Sequence, residues 1–392
     1  MKAYIIKNQI QIEPFFEDSE TLLIGNKCLK DLQKESLESL GIIAVFFDSN
    51  LKIDDDDEYL ILDSAIYFTA PLLREFIDKS KKINSPTVCS LKLGVFTNQT
   101  IVNTQNVKKY EDRIEYNIFY YPQKHLRNQE IKPIVLENDQ DCENLVLPKH
   151  MYKNSDYPMP VTEKVIIQID HWANLWTANL MSILSRLASF KKLSKFKLIK
   201  LFLKARSSDK WKIASFLNEV GKNNKIHHTA YIEGSTIGNN VTIGAGTVIR
   251  ESIIGDNCFI GNGVVIEMSV IGEKSTILSG HILFCVLYSG FFSITHAIST
   301  SIVGKDSFVG LGAVLTDFRL DNKSINVIKD GLKVDTRSTL LGCCLGNNVY
   351  LGSGCVVAPG RMIPNDTHIS LGEEKVITGI SDKKQINGFR II

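Results

Sequence analysis

Between Ile226 and Ile277 an isoleucine recurs ten times, at Ile226, Ile232, Ile237, Ile243, Ile249, Ile254, Ile260, Ile266, Ile271 and Ile277, in steps of six, five and six residues repeated three times. Three such steps make a coil of 17 residues, so Ile237, Ile254 and Ile271 form one column and Ile243, Ile260 and Ile277 another. A chain with this repeat is expected to wind into a triangular prism of parallel strands, one isoleucine per strand pointing inward onto its counterparts above and below. Gly and Asn follow most of these positions, as in IGNNVT, IGAGTV, IGDNCF and IGNGVV. They suit corners, where the backbone takes conformations closed to β-branched residues. Six-residue spacing resumes at Val303, Val309 and Leu315, and again at Leu345, Leu351, Val357, Ile363 and Ile369. The fold class expected for residues 226–392 is therefore a parallel β-helix of hexapeptide repeats. The repeat by itself builds a prism and no chemistry, so function has to come from what interrupts it.

One long interruption occurs. After Leu315 the segment TDFRLDNKSINVIKDGLKVDTRSTL, residues 316–340, intervenes before the coils return at LGCCLGNN. A loop of this length leaving a rigid prism is a natural place for binding. Upstream, residues 1–150 alternate buried-strand runs, IIAVFFD and YLILD, with helical stretches, CLKDLQKESLESLGI and APLLREFIDKSKK. That alternation implies an α/β domain with a mostly parallel sheet. Residues 151–225 read as an amphipathic, basic helical linker, with ten basic residues and one acid, Asp209, between Arg186 and Lys212. The leading reading packs the Leu/Phe face on a neighbour and leaves the lysines solvated. The lesser one is a weak contact of 186–212 with an anionic membrane surface.

Composition narrows the class. At 44% hydrophobic and 22% charged residues the 392-residue chain looks soluble and globular, and a net charge of +2 points to no acidic partner. No nucleic-acid-binding motif accompanies the basic run, so nucleic acid is not expected. Eight cysteines without CxxC pairs suggest neither a disulfide framework nor a metal site. The start MKAYIIKNQIQIEP lacks a charged stretch followed by a long apolar one, and the apolar run Ile282–Val303 lies inside the repeat. Neither a signal peptide nor a membrane span is expected, and the location is read as cytoplasmic.

The segment VGLGAVLTDFRLDNKSINVIKDGLKVDTRSTLLGCCLGNNVYLGSGCVVAPGRMIPND, with the coils around it over 226–371, resembles a known family. It is similar to the C-terminal half of sugar-1-phosphate nucleotidylyltransferases with left-handed β-helices, especially the bifunctional uridylyltransferase/acetyltransferases that make UDP-N-acetylglucosamine and their archaeal relatives. The resemblance implies a left-handed prism and acetyl-CoA, or another acyl-CoA, as co-substrate. It also implies a sugar phosphate or nucleotide sugar as acceptor, in cell-envelope polysaccharide synthesis. The assembly implied is a homotrimer with its site between neighbouring prisms, completed by an insertion reaching across from one subunit. In that family a His in the coil before the insertion is the general base, an Asn at its start stabilises the tetrahedral intermediate, and a Ser in the next coil contacts acetyl-CoA. The His position falls on Ile294 here, which makes His296, two residues on, the first candidate base and His281, one coil earlier, the second. The Asn position falls on Asp317, expected to orient the base or hold a sugar hydroxyl, and Ser353 matches the acetyl-CoA Ser. Arg361, Lys323 and Arg337, together with Arg319, are candidates for holding phosphates.

Residues 1–150 are similar to the nucleotidyltransferase domain of the same family. LLIGNKCLKDLQKESLESLGI matches the strand–loop–helix that carries its sugar-binding turn, and YLILDSAIYFTAPLLREFID the strand that ends in a metal-binding Gly-Asp. Here Ser64-Ala65 stands in place of Gly-Asp, and KNQIQIEPFFEDSE in place of the Gly-rich phosphate loop. Nucleotidyl transfer needs a backbone cradle for the triphosphate and a carboxylate for Mg²⁺. The domain is therefore expected to be degenerate, with Asp63 capping a turn and nucleotide or sugar binding as its remaining role. The expected function is an acyl-CoA-dependent N- or O-acyltransferase. A nucleotidylyltransferase with altered ligands and a non-catalytic sugar-nucleotide-binding scaffold stand as alternatives.

Overall fold

A computed structural model describes residues 1–47, 53, 55–83, 85–127, 129–138, 142–146, 156–372, 385–386 and 389–390. The strand-like runs near the N-terminus form β1 (Lys2–Ile6), β2 (Ile43–Phe47) and β3 (Tyr59–Asp63), and β1 pairs in parallel with both of the others. Helix α1 (Leu29–Glu38) links β1 to β2, while the short strand β4 (Ile66–Phe68) and α2 (Ala70–Ile83) follow β3. With β5 (Thr87–Lys92), β6 (Lys108–Lys109), β7 (Arg113–Tyr121) and β8 (Lys132–Leu136) they make a seven-stranded sheet of order β8-β5-β7-β3-β1-β2, β6 lying on β7. Strand β7 runs antiparallel to both neighbours, so the sheet is mixed. Strand pairing carries this α/β unit past residue 150: Cys142–Val146 pairs with Asp156–Pro160, and Ile166–Gln168 with β4.

Helix α3 (Trp172–Lys191) is buried on every side of its first turns, its polar Asn174, Thr177 and Asn179 included, as in a helix enclosed by protein. Trp172, Leu175, Trp176, Ala178 and Met181 are all buried. The helix sits between the α/β unit and the prism, and Trp176 Nε1 donates to the Phe284 carbonyl at 2.7 Å. Other bonds cross the same boundary. Asn26 Nδ2 reaches the Ile271 carbonyl at 2.8 Å, the Tyr288 hydroxyl reaches the Leu23 carbonyl at 3.2 Å, and Lys305 Nζ pairs with Glu17 at 2.7 Å. Two shorter helices follow, α4 (Lys195–Ala205) and α5 (Lys210–Ala214). No helix among the described residues is long and apolar enough to cross a membrane.

From Glu219 the chain winds into three parallel sheets of eight, eight and five short strands. Ile237, Ile243, Ile249, Ile254, Ile260, Ile266, Ile271 and Ile277 fill the interior, as their spacing predicts. At the corners Asn240, Asn257 and Asn348 take φ near +57°, +59° and +55°, the left-handed region that Asn tolerates. At Gly304 a Cβ would lie 2.4 Å from the Gly346 carbonyl carbon, so no larger residue fits between these coils. The first face points Val270, Val286, Ile302 and Cys344 outward into the core shared with the α/β unit, with Ile253 and Met362 packed against it. The second face carries an outer ladder that includes Phe292, Phe308, Tyr350 and His368, with the Tyr350 and His368 rings stacked at 4.3 Å. The third face carries a charged column among apolar residues and is described below.

Two coils are short. Val270 pairs with Val286 and Val286 with Ile302, one residue fewer per turn than the step from Ile253 to Val270. The missing residue comes out of the corner between the second and third faces, at Leu278–Gly280 and Ile294–His296. This places His296 at that corner, not on a strand.

The insertion forms an antiparallel hairpin, Asn326–Lys329 with Leu332–Asp335. This hairpin packs on its own chain, with Ile325 and Val327 buried in the shared core. Lys329 Nζ donates to the Thr104 carbonyl and to Asn106 Oδ1, both at 2.7 Å, and Asn103 Nδ2 donates to the Asp335 carbonyl at 2.9 Å. His171 joins the two pieces: Nδ1 accepts the Ala173 N–H at 3.1 Å, so Nε2 is the protonated nitrogen and donates to the Ile328 carbonyl at 3.0 Å.

Burial pushes the His171 imidazole down to about 4. A base with a lowered folded pKa gives stability that is present above its unfolded value and lost as pH falls toward the folded one. Between pH ~6.5 and ~4 the loss amounts to about 3 kcal/mol. Buried Asp170 beside it is raised by burial and works in the opposite sense. Urea midpoints across that window are therefore expected to fall less steeply in His171→Gln than in the wild type.

Candidate active site

The third face is built from the three-residue strands Tyr231–Glu233, Val248–Arg250, Val265–Glu267, His281–Leu283 and Ala297–Ser299, stacked in parallel. The middle residue of each points inward and the outer two point away from the prism, which stacks Glu233, Arg250 and Glu267 in one outer column and Val248, Val265, His281 and Ala297 in the other. Tyr231 donates its hydroxyl to Glu233 Oε2 at 2.7 Å. Arg250 lies 3.0 Å from Glu233 and 3.4 Å from Glu267. The chain of contacts ends at His281, whose Nε2 is 2.9 Å from Glu267 Oε2, with the imidazole 46% exposed. Burial, then the hydrogen bond to Glu233, pushes the Tyr231 phenol up to about 12, leaving it a donor at neutral pH. A half-exposed imidazole with one nitrogen held by a carboxylate leaves the other free for an incoming N–H or O–H. That is the arrangement of a general base with its orienting group.

The other candidates separate into two groups. His296 is exposed at the corner before this face, next to His281, whose N–H donates to the His296 carbonyl at 2.9 Å. The His296 ring finds no partner among the described residues. Ser353 lies at the same corner two coils on, also exposed, with its backbone nitrogen against Gly310. Asp317 and Arg361 sit beyond the opposite edge of the face, where the insertion leaves the prism. The Asp317 carbonyl accepts from Leu341 N at 3.0 Å, and its carboxylate, after burial, helps raise the nearby Cys343 thiol. Arg361 is exposed. Arg319 is already paired with Asp321 at 2.9 and 2.5 Å, the Lys323 amide donates to the same carboxylate, and Arg337 is exposed at a left-handed turn, φ +57°. The structure thus brings His281, His296 and Ser353 to one side and leaves Asp317, Arg361, Lys323 and Arg337 on the other. The residues missed were Glu233, Arg250 and Glu267, and the sequence held a signal for them: charges of alternating sign at the coil period.

The α/β unit holds a second cleft of about 330 Å³, lined by Lys7, Asn8, Gln9, Asp63, Asn117 and Phe119. It opens at the carboxyl ends of β1 and β3, which lie side by side while their connections leave in opposite directions, the place where open α/β sheets bind ligands. Asp63 is occupied in turn formation, accepting from Ala65 N at 2.8 Å and from Asn8 Nδ2 at 3.1 Å. Ser64 Oγ accepts from Asn8 N at 2.8 Å. Among the described residues no group of three His, Cys, Asp or Glu side chains is placed to hold a metal ion. Seven cysteines, Cys28, Cys89, Cys258, Cys285, Cys343, Cys344 and Cys355, are free thiols, and the side chain of Cys142 lies outside the described residues.

Residues 217–288 match the family model described as the GMPPB C-terminal domain. The prism is a left-handed hexapeptide-repeat β-helix. No curated protein matches the chain. Among solved structures, one that matches is the X-ray crystal structure of PerB from Caulobacter crescentus in complex with CoA and GDP-perosamine, 22% identical with a TM-score of 0.20. That alignment covers 37% of this chain and 52%, about half, of PerB. The α/β unit precedes the repeat, as the alternation of strands and helices predicts, but its sheet is mixed and not mostly parallel.

Proposed function

We propose that this protein is an acyl-CoA-dependent acyltransferase acting on an amine or hydroxyl of a sugar phosphate or nucleotide sugar. The observation that carries the proposal is the His281–Glu267 pair, 2.9 Å apart on an exposed face of a hexapeptide prism. His281 takes the proton of the acceptor N–H or O–H as the acceptor attacks the thioester carbonyl. The new C–N or C–O bond forms, the C–S bond breaks, and the imidazolium returns its proton to the CoA thiolate, so no metal or redox partner is required. Glu267 holds the imidazole and stabilises its charged form. In this reading Ser353 contacts the acyl-CoA. His296 lies where it can assist at the same corner. Asp317, Arg361, Lys323 and Arg337 serve an acyl-CoA or acceptor that spans the face or comes from a neighbouring copy. A cytoplasmic homotrimer would supply that neighbour.

Calorimetric titration with acetyl-CoA, with mass measured by light scattering and thiol release followed over a panel of amino sugars and nucleotide sugars, tests the proposal. Saturable binding near one site per subunit with acceptor-dependent thiol release is expected. An intact oligomer that neither binds acyl-CoA nor releases thiol would favour the second reading, a non-catalytic sugar-nucleotide binder. The cleft at Asn8, Asp63 and Asn117 supports that alternative.

A further inference from the structure

Helix α4 has the sequence KFKLIKLFLKA, starts at an N-cap Ser194 whose Oγ accepts from Lys197 N at 3.3 Å, and ends at Arg206 in a left-handed turn. Among the described side chains of its inward side, Ala205 is buried and Leu201 half-buried. The outward side is apolar. Phe196 is 78% exposed, Ile199 57% and Leu203 73%, a stripe at helical spacing, with Phe202 beside it at 45% and Trp211 of α5 exposed to a similar degree. At 100° per residue, Lys197, Lys200 and Lys204 fall between this stripe and the inward side. None of the three meets a carboxylate among the described residues. Scattered apolar residues on a surface are ordinary. Lys204 Nζ lies over the Phe216 ring, 5.1 Å from its centre. A continuous stripe edged by lysines that meet no carboxylate is the pattern of a helix that lies in a lipid interface.

Two other occupants fit less well. Between Arg186 and Lys212 the sequence carries ten cations against one acid. Arg186 is held by Gly234 and Thr236, and Lys192 by Glu163, while Lys197, Lys200 and Lys204 meet no carboxylate among the described residues. A second copy of this chain docked here would bring like charges together around a symmetry axis. Nucleic acid would use the lysines and could stack on Phe196 and Phe202, but it would leave the aliphatic Ile199 and Leu203, 57% and 73% exposed, without a partner that removes them from water.

We propose that α4 docks on an anionic phospholipid surface, the Phe196–Ile199–Leu203 stripe entering the boundary of headgroups and acyl chains and Lys197, Lys200 and Lys204 meeting lipid phosphates. The membrane contact is independent of the acyl-transfer reading. Its test is sedimentation of the full-length protein with vesicles of phosphatidylcholine alone or mixed with phosphatidylglycerol. Binding to the anionic vesicles is expected at roughly tenfold or more above the neutral ones, weakening with salt. Phe196→Ser with Leu203→Ser, at positions too exposed to support the fold, is expected to abolish it. The triple variant Lys197→Gln, Lys200→Gln, Lys204→Gln should lose only the anionic preference. Equal binding to both vesicles, or binding unchanged in the Phe196/Leu203 variant, would overturn the proposal. So would a change of oligomeric mass in that variant with vesicle binding intact, since the stripe would then be a contact between copies.

Discussion

His281→Ala is expected to lower acyl transfer by a factor of about 10²–10⁴, the usual contribution of a positioned general base, with the fall in kcat and little change in the affinity for acetyl-CoA. His281 is a strand residue on the surface of the prism, while Ile282 beside it does the packing, so the substitution leaves the coil intact. Glu267→Gln keeps the size and one hydrogen bond but removes the charge that stabilises the imidazolium. It is expected to lower kcat less than His281→Ala while leaving the affinity for acetyl-CoA unchanged, a split between kcat and KM that a merely structural role would not produce. His296→Ala is the comparison. A large loss in His296→Ala with none in His281→Ala would move the base to the corner and leave the ladder from Tyr231 to His281 a structural feature.

Trp176→Ala is expected to destabilise the protein by about 3–5 kcal/mol, as deletion of a large enclosed ring does. Trp176 is 2% exposed at the junction of α3 and the prism, and the substitution also leaves the Phe284 carbonyl without its donor. Denaturant unfolding followed by circular dichroism should change shape as well as midpoint, the single transition of the joined core separating into one for the α/β unit and one for the coils. A midpoint unchanged within error would mean that the shared core contributes little.

How far the sequence could lead depends on which interaction sets each feature. Ile237, Ile254 and Ile271 are legible because stacking coils demand one inward apolar residue at a fixed step, and that demand is local. The alternation of strands and helices in 1–150 reads for the same reason, and Asp63 sits in the turn as expected. The two short coils were missed because removing one residue at Leu278–Gly280 shortens the inward step from Ile277 to Ile282 to five, which breaks the regular six, five, six pattern; the stacking of Ile266, Ile282 and Ile298 at 16-residue steps reveals it. That register is why His296, placed by resemblance near a strand position, stands at a corner. The His281–Glu267 pair joins residues of adjacent coils on a diagonal, a relation that spacing along one column does not expose. Helix α3, read as part of an amphipathic linker, is enclosed instead, and the uncharged run WANLWTANLMSIL, free of Asp, Glu, Lys and Arg over thirteen residues, was the signal for that. What encloses it, the outward Val270, Val286 and Ile302 of the first prism face, depends on how two distant stretches of chain meet.

The same wall bears on any attempt to study the coils alone. With the first 218 residues removed, Val270, Val286, Ile302, Cys344 and Tyr288 would form a greasy plane along one side of a free prism. Copies of that fragment would pair through a plane the whole chain keeps hidden. An assembly state measured on the severed prism would describe an artificial dimerisation seam, not the native quaternary arrangement.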